Sequence, residues 1–411
     1  MAVTHTVAKL NFQLSSPLLH AVRPCQRVKS AVLPVTSFPR RLTKAGPVRQ
    51  CSQEAKSAQV LRSEVWGAKL PKPVGHARKN ARSCSMSVST ETAVSDELFA
   101  DYKVSTAFLF PGQGAQAVGM GAEAKDVPEA AALFEKAKEI LGYDLLEICL
   151  NGPSEKLNST VVSQPAIYVA SLAAVEKLRT TEEGRAAIEA ADVAAGLSLG
   201  EYTALAFAGA ISFEDGLRIV KTRGEAMQAA SDAAPSGMAS IIGLDSSKVA
   251  ELCEAASAAV GEGEGVRIAN YLCPGNYAVS GGIKGIEEVE KRAKPEFKAR
   301  MAVRLAVAGA FHTDFMGPAV PKLEEVLAKT EIKKPRIPVV SNVDAKPHSD
   351  PETIKKILAK QVTSPVQWET TLNTLLEKGL ENTYELGPGK VIAGIMKRIS
   401  KTAAPVQNVS V

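Results

Sequence analysis

Hydrophobic residues along this chain fall into short apolar runs separated by longer stretches of helical period. The first run, Thr106-Ala-Phe-Leu-Phe110, is a strand closed by Pro111-Gly112-Gln113-Gly114. Helical spacing follows over about 128–142 and 163–180, then a small-residue strand at Val193–Gly196. Helices are expected over Glu201–Ala208 and Phe213–Ala230. Strands alternating with helices at this spacing argue for α/β layers around a mostly parallel sheet. The rhythm changes after residue 231. Strands are expected at Gly237–Leu244, 266–270, 277–281 and 300–307, with helices at 246–259 and 283–294, in the order β-α-β-β-α-β of a split βαβ, or ferredoxin-like, unit. A strand near Ile337–Val340, helices at 351–361 and 366–379, a strand at 383–386 and a helix from Lys390 to Ser400 complete the chain. The pattern thus predicts a large α/β subdomain from residues 100–230 and 308–411, interrupted by a small ferredoxin-like subdomain at 231–307.

Composition adds one division. The 411 residues carry a net charge of +5, but residues 1–90 alone carry +13 and the rest −8. That first segment is rich in Arg, Ser and Ala and is broken by prolines at 17, 24, 34, 39, 47, 71 and 73. It reads as an organelle transit peptide with its linker, cut between Arg82 and Thr92, and its length favours a plastid over a mitochondrion. The positive charge therefore gives no reason to expect nucleic acid as a partner. No apolar run reaches the roughly 18–20 residues needed to cross a bilayer, so no membrane partner is expected. Six cysteines without a CxxC pair argue against zinc and suit a reducing compartment.

The chemistry concentrates in Gly196-Leu197-Ser198-Leu199-Gly200, a G-x-S-x-G run between a strand and a helix. That is the setting of a nucleophile elbow, in which the turn exposes a serine at a helix N-terminus. A serine hydroxyl needs a base. Only His312 and His348 lie beyond the leader, and His348 sits in a polar turn that reads as surface. His312, in Gly309-Ala-Phe-His312, follows the last strand of the inserted unit, where a cleft is expected. Gly112-Gln113-Gly114 can aim backbone N–H groups into a cavity. It also fits G-x-G-x-x-A, but no second strand ending in an acid follows, as a dinucleotide site requires. Arg223, one helix beyond Ser198, has the planar fork that holds a carboxylate.

These motifs, with Phe108-Leu-Phe-Pro-Gly-Gln-Gly-Ala-Gln116, Gly200-Glu-Tyr202, Arg223-Gly224, Asn270 to Gly282, Ser341-Asn-Val-Asp344, Gln361, Ser364-Pro-Val-Gln-Trp368 and Glu385-Leu-Gly-Pro-Gly-Lys390, follow one another in an order that resembles the malonyl-CoA:acyl carrier protein transacylases of type II fatty-acid synthesis. The resemblance spans Thr106 to Lys401. It implies Ser198 as the acylated nucleophile, His312 as its base, and the backbone carbonyl of Gln361 in place of a third catalytic carboxylate. It implies an oxyanion hole from the N–H groups of Gln113 and Leu199, and Arg223 as receptor for the malonyl carboxylate. Gln164, Asn270 and Asn342 are expected to line the cleft, and Phe311 to select malonyl over branched acyl groups. Leu197 departs from the histidine usual before the nucleophile. Malonyl-CoA and acyl carrier protein are the implied partners of an expected monomer. No bound cofactor is implied, because CoA and phosphopantetheine act as substrate carriers. A serine thioesterase or hydrolase using the same Ser-His pair is the alternative. The basic clusters Lys355-Lys356, Lys390 and Lys397-Arg398 are candidates for meeting an acidic carrier protein.

Overall fold

In the computed structural model, which describes residues 97–411, the apolar runs form nine strands: β1 (Thr106–Phe110), β2 (Val193–Gly196), β3 (Ser236–Ile242), β4 (Val266–Cys273), β5 (Asn276–Gly282), β6 (Met301–Arg304), β7 (Val339–Val340), β8 (Asn382–Leu386) and β9 (Gln407–Val409). The leader expected at residues 1–90 lies outside the described residues. Five strands make a wholly parallel sheet in the order β7-β2-β1-β8-β9. Every residue of β1 and β2 is buried, as a sheet covered by helices on both faces requires. The other four strands form an antiparallel sheet in the order β6-β3-β5-β4, which with its two helices is the ferredoxin-like arrangement the spacing predicts.

The helix Thr160–Arg179 is apolar on nearly every side and is buried along most of its length. Such a helix belongs in a core, and it packs against the long helix Phe213–Ala233, which carries Arg223. Register then sets the site. Phe110 pairs with Gly196, so the loop after β1 and the elbow after β2 leave the sheet side by side at the carboxyl ends of the strands. Open parallel sheets bind ligands at that edge.

Several expectations shift. The helix expected at 366–379 begins only at Trp368, because Val366 is drawn out to bridge Asn270 of β4. The strand expected over 300–307 stops at Arg304, and only Val339–Val340 of the next one pairs. The helices Leu145–Asn151, Ser154–Asn158, Glu182–Glu189 and Val320–Lys329, and the three-residue β9, add to the elements the apolar pattern predicts. The three cysteines among the described residues, Cys149, Cys253 and Cys273, are free and buried.

Candidate active site

The elbow is built by exclusion of side chains. A Cβ on Gly196 would lie 1.9 Å from the backbone of Gly200, and one on Gly200 would lie 2.2 Å from the carbonyl oxygen of Phe110. Only glycine allows strand, turn and helix to pass this closely. The turn leaves Ser198 at φ 52°, in the left-handed region a side chain rarely adopts. Asn342, just after β7, clamps it: its Oδ1 accepts from Ser198 N at 2.6 Å and its Nδ2 donates to Gly196 O at 2.7 Å. The helix Leu199–Phe207 starts at once, so Leu199 N–H, as the first helical donor, is left without an intrahelical partner.

His312 reaches Ser198 from the far side. Its Nε2 is 2.9 Å from Ser198 Oγ, and its Nδ1 is 2.9 Å from the backbone oxygen of Gln361. A carbonyl can only accept, so the neutral ring carries its proton on Nδ1 and turns the Nε2 lone pair to the serine. His312 is 3 % exposed. Burial, with Arg223 nearby, pushes the imidazole down to about 4, against a smaller upward pull from the Gln361 carbonyl. His348 stands apart, partly buried with Nε2 3.0 Å from Asp344.

Arg223 is 2 % exposed. Its Nη2 donates to Ser198 Oγ at 3.0 Å and to Gln361 Oε1 at 2.9 Å, and its Nη1 donates to Gln164 Oε1 at 2.8 Å. The guanidinium also lies over the Tyr202 ring, 5.2 Å from its centroid, while Nε has no partner. None of these acceptors is a carboxylate. A buried cation held only by neutral groups is suited to receive an anion.

Serine, histidine and arginine open onto one cavity of about 460 Å³. Gln113 and Gly114 form one lip. Leu197, Met227, Phe311 and Val307 make apolar walls, Asn270 adds an amide, and Lys390 and Arg398 stand at the same cavity. Gln164 and Asn342, expected to line the cleft, lie behind it instead. Both are fully enclosed, Gln164 holding Arg223 and Asn342 holding the elbow. Glu201 was the residue whose place the sequence did not disclose. Its carboxylate accepts from Gln361 Nε2 at 2.6 Å and from Asn342 N at 3.1 Å, and burial pushes its carboxyl up to about 7.

A family model described as an acyl transferase domain matches residues 107–411. The mitochondrial malonyl-CoA-acyl carrier protein transacylase of Mus musculus is 45 % identical over 303 residues, covering 72 % of this chain and 79 % of that protein. That of Bacillus subtilis is 41 % identical over 296 residues, covering 72 % of this chain and 90 % of that protein. The chain belongs to the malonyl-CoA-acyl carrier protein transacylase family. Solved transacylase structures superpose accordingly. That from Coxiella burnetii gives a TM-score of 0.69 at 34 % identity over 75 % of this chain and 94 % of its own. A type II PKS acyl-carrier protein in complex with its malonyl-transacylase gives 0.68 at 35 % identity over 75 % and 96 %. Within this transacylase frame, Leu197 puts an apolar side chain, 9 % exposed, on the cavity wall beside Ser198.

Proposed function

We propose that the protein transfers a malonyl group from malonyl-CoA to the phosphopantetheine thiol of acyl carrier protein through a malonyl ester on Ser198. One observation carries the reading: Ser198 Oγ lies within hydrogen-bond reach of both the neutral His312 Nε2 and the Arg223 guanidinium. A nucleophile, its base and a receptor for a carboxylate thus meet at one atom. Ser198 Oγ attacks the thioester carbon while His312 Nε2 takes the hydroxyl proton. The C–S bond breaks, and CoA leaves as its thiol with that proton. The carrier's thiol then gives its proton to His312 and attacks the ester carbon, and Ser198 regains the proton as the C–O bond breaks. The N–H groups of Gln113 and Leu199 serve the oxyanion in both steps. Arg223 holds the free carboxylate, and the apolar walls limit water. On this reading CoA and phosphopantetheine carry the acyl group, and no resident cofactor is called on.

The test is transfer of labelled malonyl from malonyl-CoA to holo-acyl carrier protein. The expected result is a labelled enzyme intermediate, chased onto the carrier and absent in Ser198→Ala. Label released as free malonate at the rate it is loaded, with no gain on adding carrier, would instead identify a hydrolase.

We further propose that residues 1–90 direct the enzyme into an organelle. Their length supports a plastid. The alternative destination draws on relatives from mouse, human and Drosophila melanogaster that are named as mitochondrial. Imaging the full chain fused to a fluorescent protein at its C-terminus decides between the two, and a diffuse cytosolic signal would reject both.

A further inference from the structure

Arg223 brings a full positive charge into a site where none of its own hydrogen bonds ends on an anion. The nearest balance lies one residue further on. Gln361 presents its side-chain oxygen to Arg223 Nη2 at 2.9 Å and its side-chain nitrogen to Glu201 Oε2 at 2.6 Å. The amide dipole is therefore aligned between a cation and an anion, both almost fully enclosed. This alignment fixes which end of the amide is which, because reversing it would set N–H against guanidinium and oxygen against carboxylate. The same nitrogen also donates to Ser198 O at 3.0 Å, and the main-chain oxygen of Gln361 holds His312.

We infer that Glu201 is the resident counter-ion of Arg223, coupled to it through the Gln361 side chain, and that its charge limits how strongly the site prefers an anionic acyl group. The inference rests on the reading of Arg223 as receptor for the malonyl carboxylate. An unoccupied site keeps Arg223 balanced at one remove. An incoming carboxylate then enters a region where a negative charge is already present, and gains less from Arg223 than it would from an unbalanced cation. Glu201 touches no reacting atom; it is a positioning and specificity residue acting through Gln361.

Two measurements at pH 8.5 separate the parts of this claim, since burial pushes the Glu201 carboxyl only to about 7 and the group is then ionised. The first is a thermal-stability cycle on the unliganded protein with Glu201→Gln, Arg223→Met and the double variant. Each single change strands one buried charge and lowers the melting temperature by about 5 °C or more, whereas the double change strands none and recovers most of the loss. Additive losses overturn the counter-ion assignment. If Glu201→Gln alone does not fold, a double variant that folds is the same coupled result, and one that does not fold overturns it. The second is the affinity of malonyl-CoA and acetyl-CoA for Ser198→Ala, with and without Glu201→Gln. Removing the resident charge raises the malonyl-over-acetyl ratio about tenfold. A side chain that merely holds loops in place would lower both affinities together. A coupled cycle with an unmoved ratio overturns the selectivity role and places the fault in the carboxylate reading of Arg223, because the charge coupling through Gln361 would itself stand.

Discussion

His312 should act as a base far below the pH at which histidines ordinarily lose that ability. Burial and the neighbouring Arg223 push its imidazole from 6.5 to about 4. At pH 5.5 an unperturbed ring would be about 90 % protonated, whereas this one would be about 3 % protonated, a roughly tenfold difference in competent enzyme. The assay is the second-order rate at which Ser198 is malonylated by limiting malonyl-CoA, followed as CoA release from pH 4.5 to 8. It reports the free enzyme, and it should not fall before about pH 5; protonation of Glu201 near 7 takes a negative charge from beside Arg223 and, on the counter-ion assignment, raises the rate. A falling limb centred near 6.5 would refute the account.

A second measurement tests the cause rather than the size. Arg223 is the next contribution after burial to lowering the imidazole. A bound carboxylate cancels part of that charge, so the limb of the single-turnover rate at saturating malonyl-CoA should lie above the limb of the free enzyme. Coincident limbs would show that the carboxylate does not reach Arg223. Stability is a poor substitute for these kinetics. A depressed imidazole contributes stability that is full above about pH 6.5 and is lost as pH falls through about 4, to the extent of about 3 kcal/mol. Glu201, raised to about 7, works in the opposite sense over much of the same range, because its folded form binds the proton more tightly than the unfolded chain does. The two contributions offset, and a melting curve would register neither.

Three further outcomes follow from the site. Arg223→Ala should cut kcat/KM for malonyl transfer by about 100-fold or more while acetyl transfer changes by less than about fivefold, and equal losses would remove its selective role. Gly196→Ala should cost more than about 3 kcal/mol in chemical denaturation, because its Cβ would lie 1.9 Å from backbone that cannot retreat without moving Ser198, and a loss under about 1 kcal/mol would show that the elbow is looser than its geometry implies. Lys390 and Arg398 stand at the cavity, and Lys397 is exposed beside Arg398 on the helix Val391–Ile399 that Lys390 caps. The double change Lys397→Glu and Arg398→Glu should raise the KM for acyl carrier protein about tenfold, and an unchanged KM would move the docking surface elsewhere.

The sequence disclosed the site through backbone grammar rather than side-chain identity. Gly196 to Gly200 could be read as an elbow because glycines on both sides of a serine, between a strand and a helix, have few other uses. His312 is singled out by scarcity, because beyond residue 96 the sequence holds only it and His348. Arg223 was legible as a type of residue but not as a placement. Its burial depends on two helices, Thr160–Arg179 and Phe213–Ala233, meeting with Gln164 and Arg223 face to face. Glu201 was the harder case. A glutamate in the first turn of a helix is ordinarily solvated and helps the dipole. Only the approach of Gln361 and Asn342, some 160 and 141 positions away along the chain, turns it inward. The short helices and β9 escaped for a related reason: elements of three to eight residues show too few turns for a period to declare itself, and tertiary contacts decide them.

The arrangement also explains why a carbonyl, rather than a carboxylate, stands behind His312. A carboxylate at Nδ1 would favour the imidazolium and raise its pKa. Here a guanidinium already lies within hydrogen-bond distance of Ser198 Oγ, and an imidazolium forming beside it is opposed by like charge. The Gln361 carbonyl fixes the tautomer and the ring plane without adding an anion beside Arg223, the proposed receptor of the substrate carboxylate. The negative charge the site does keep, on Glu201, is set one amide away, where it can balance Arg223 without occupying it. One residue, Gln361, thus serves the base through its main chain and the receptor through its side chain. Replacing that side chain alone, as in Gln361→Ala, uncouples Glu201 from Arg223 and should shift the malonyl-over-acetyl ratio in the same direction as Glu201→Gln, while the pH limb of His312 moves little; a ratio that moves the other way would place the side chain's role in holding Arg223 rather than in the coupling.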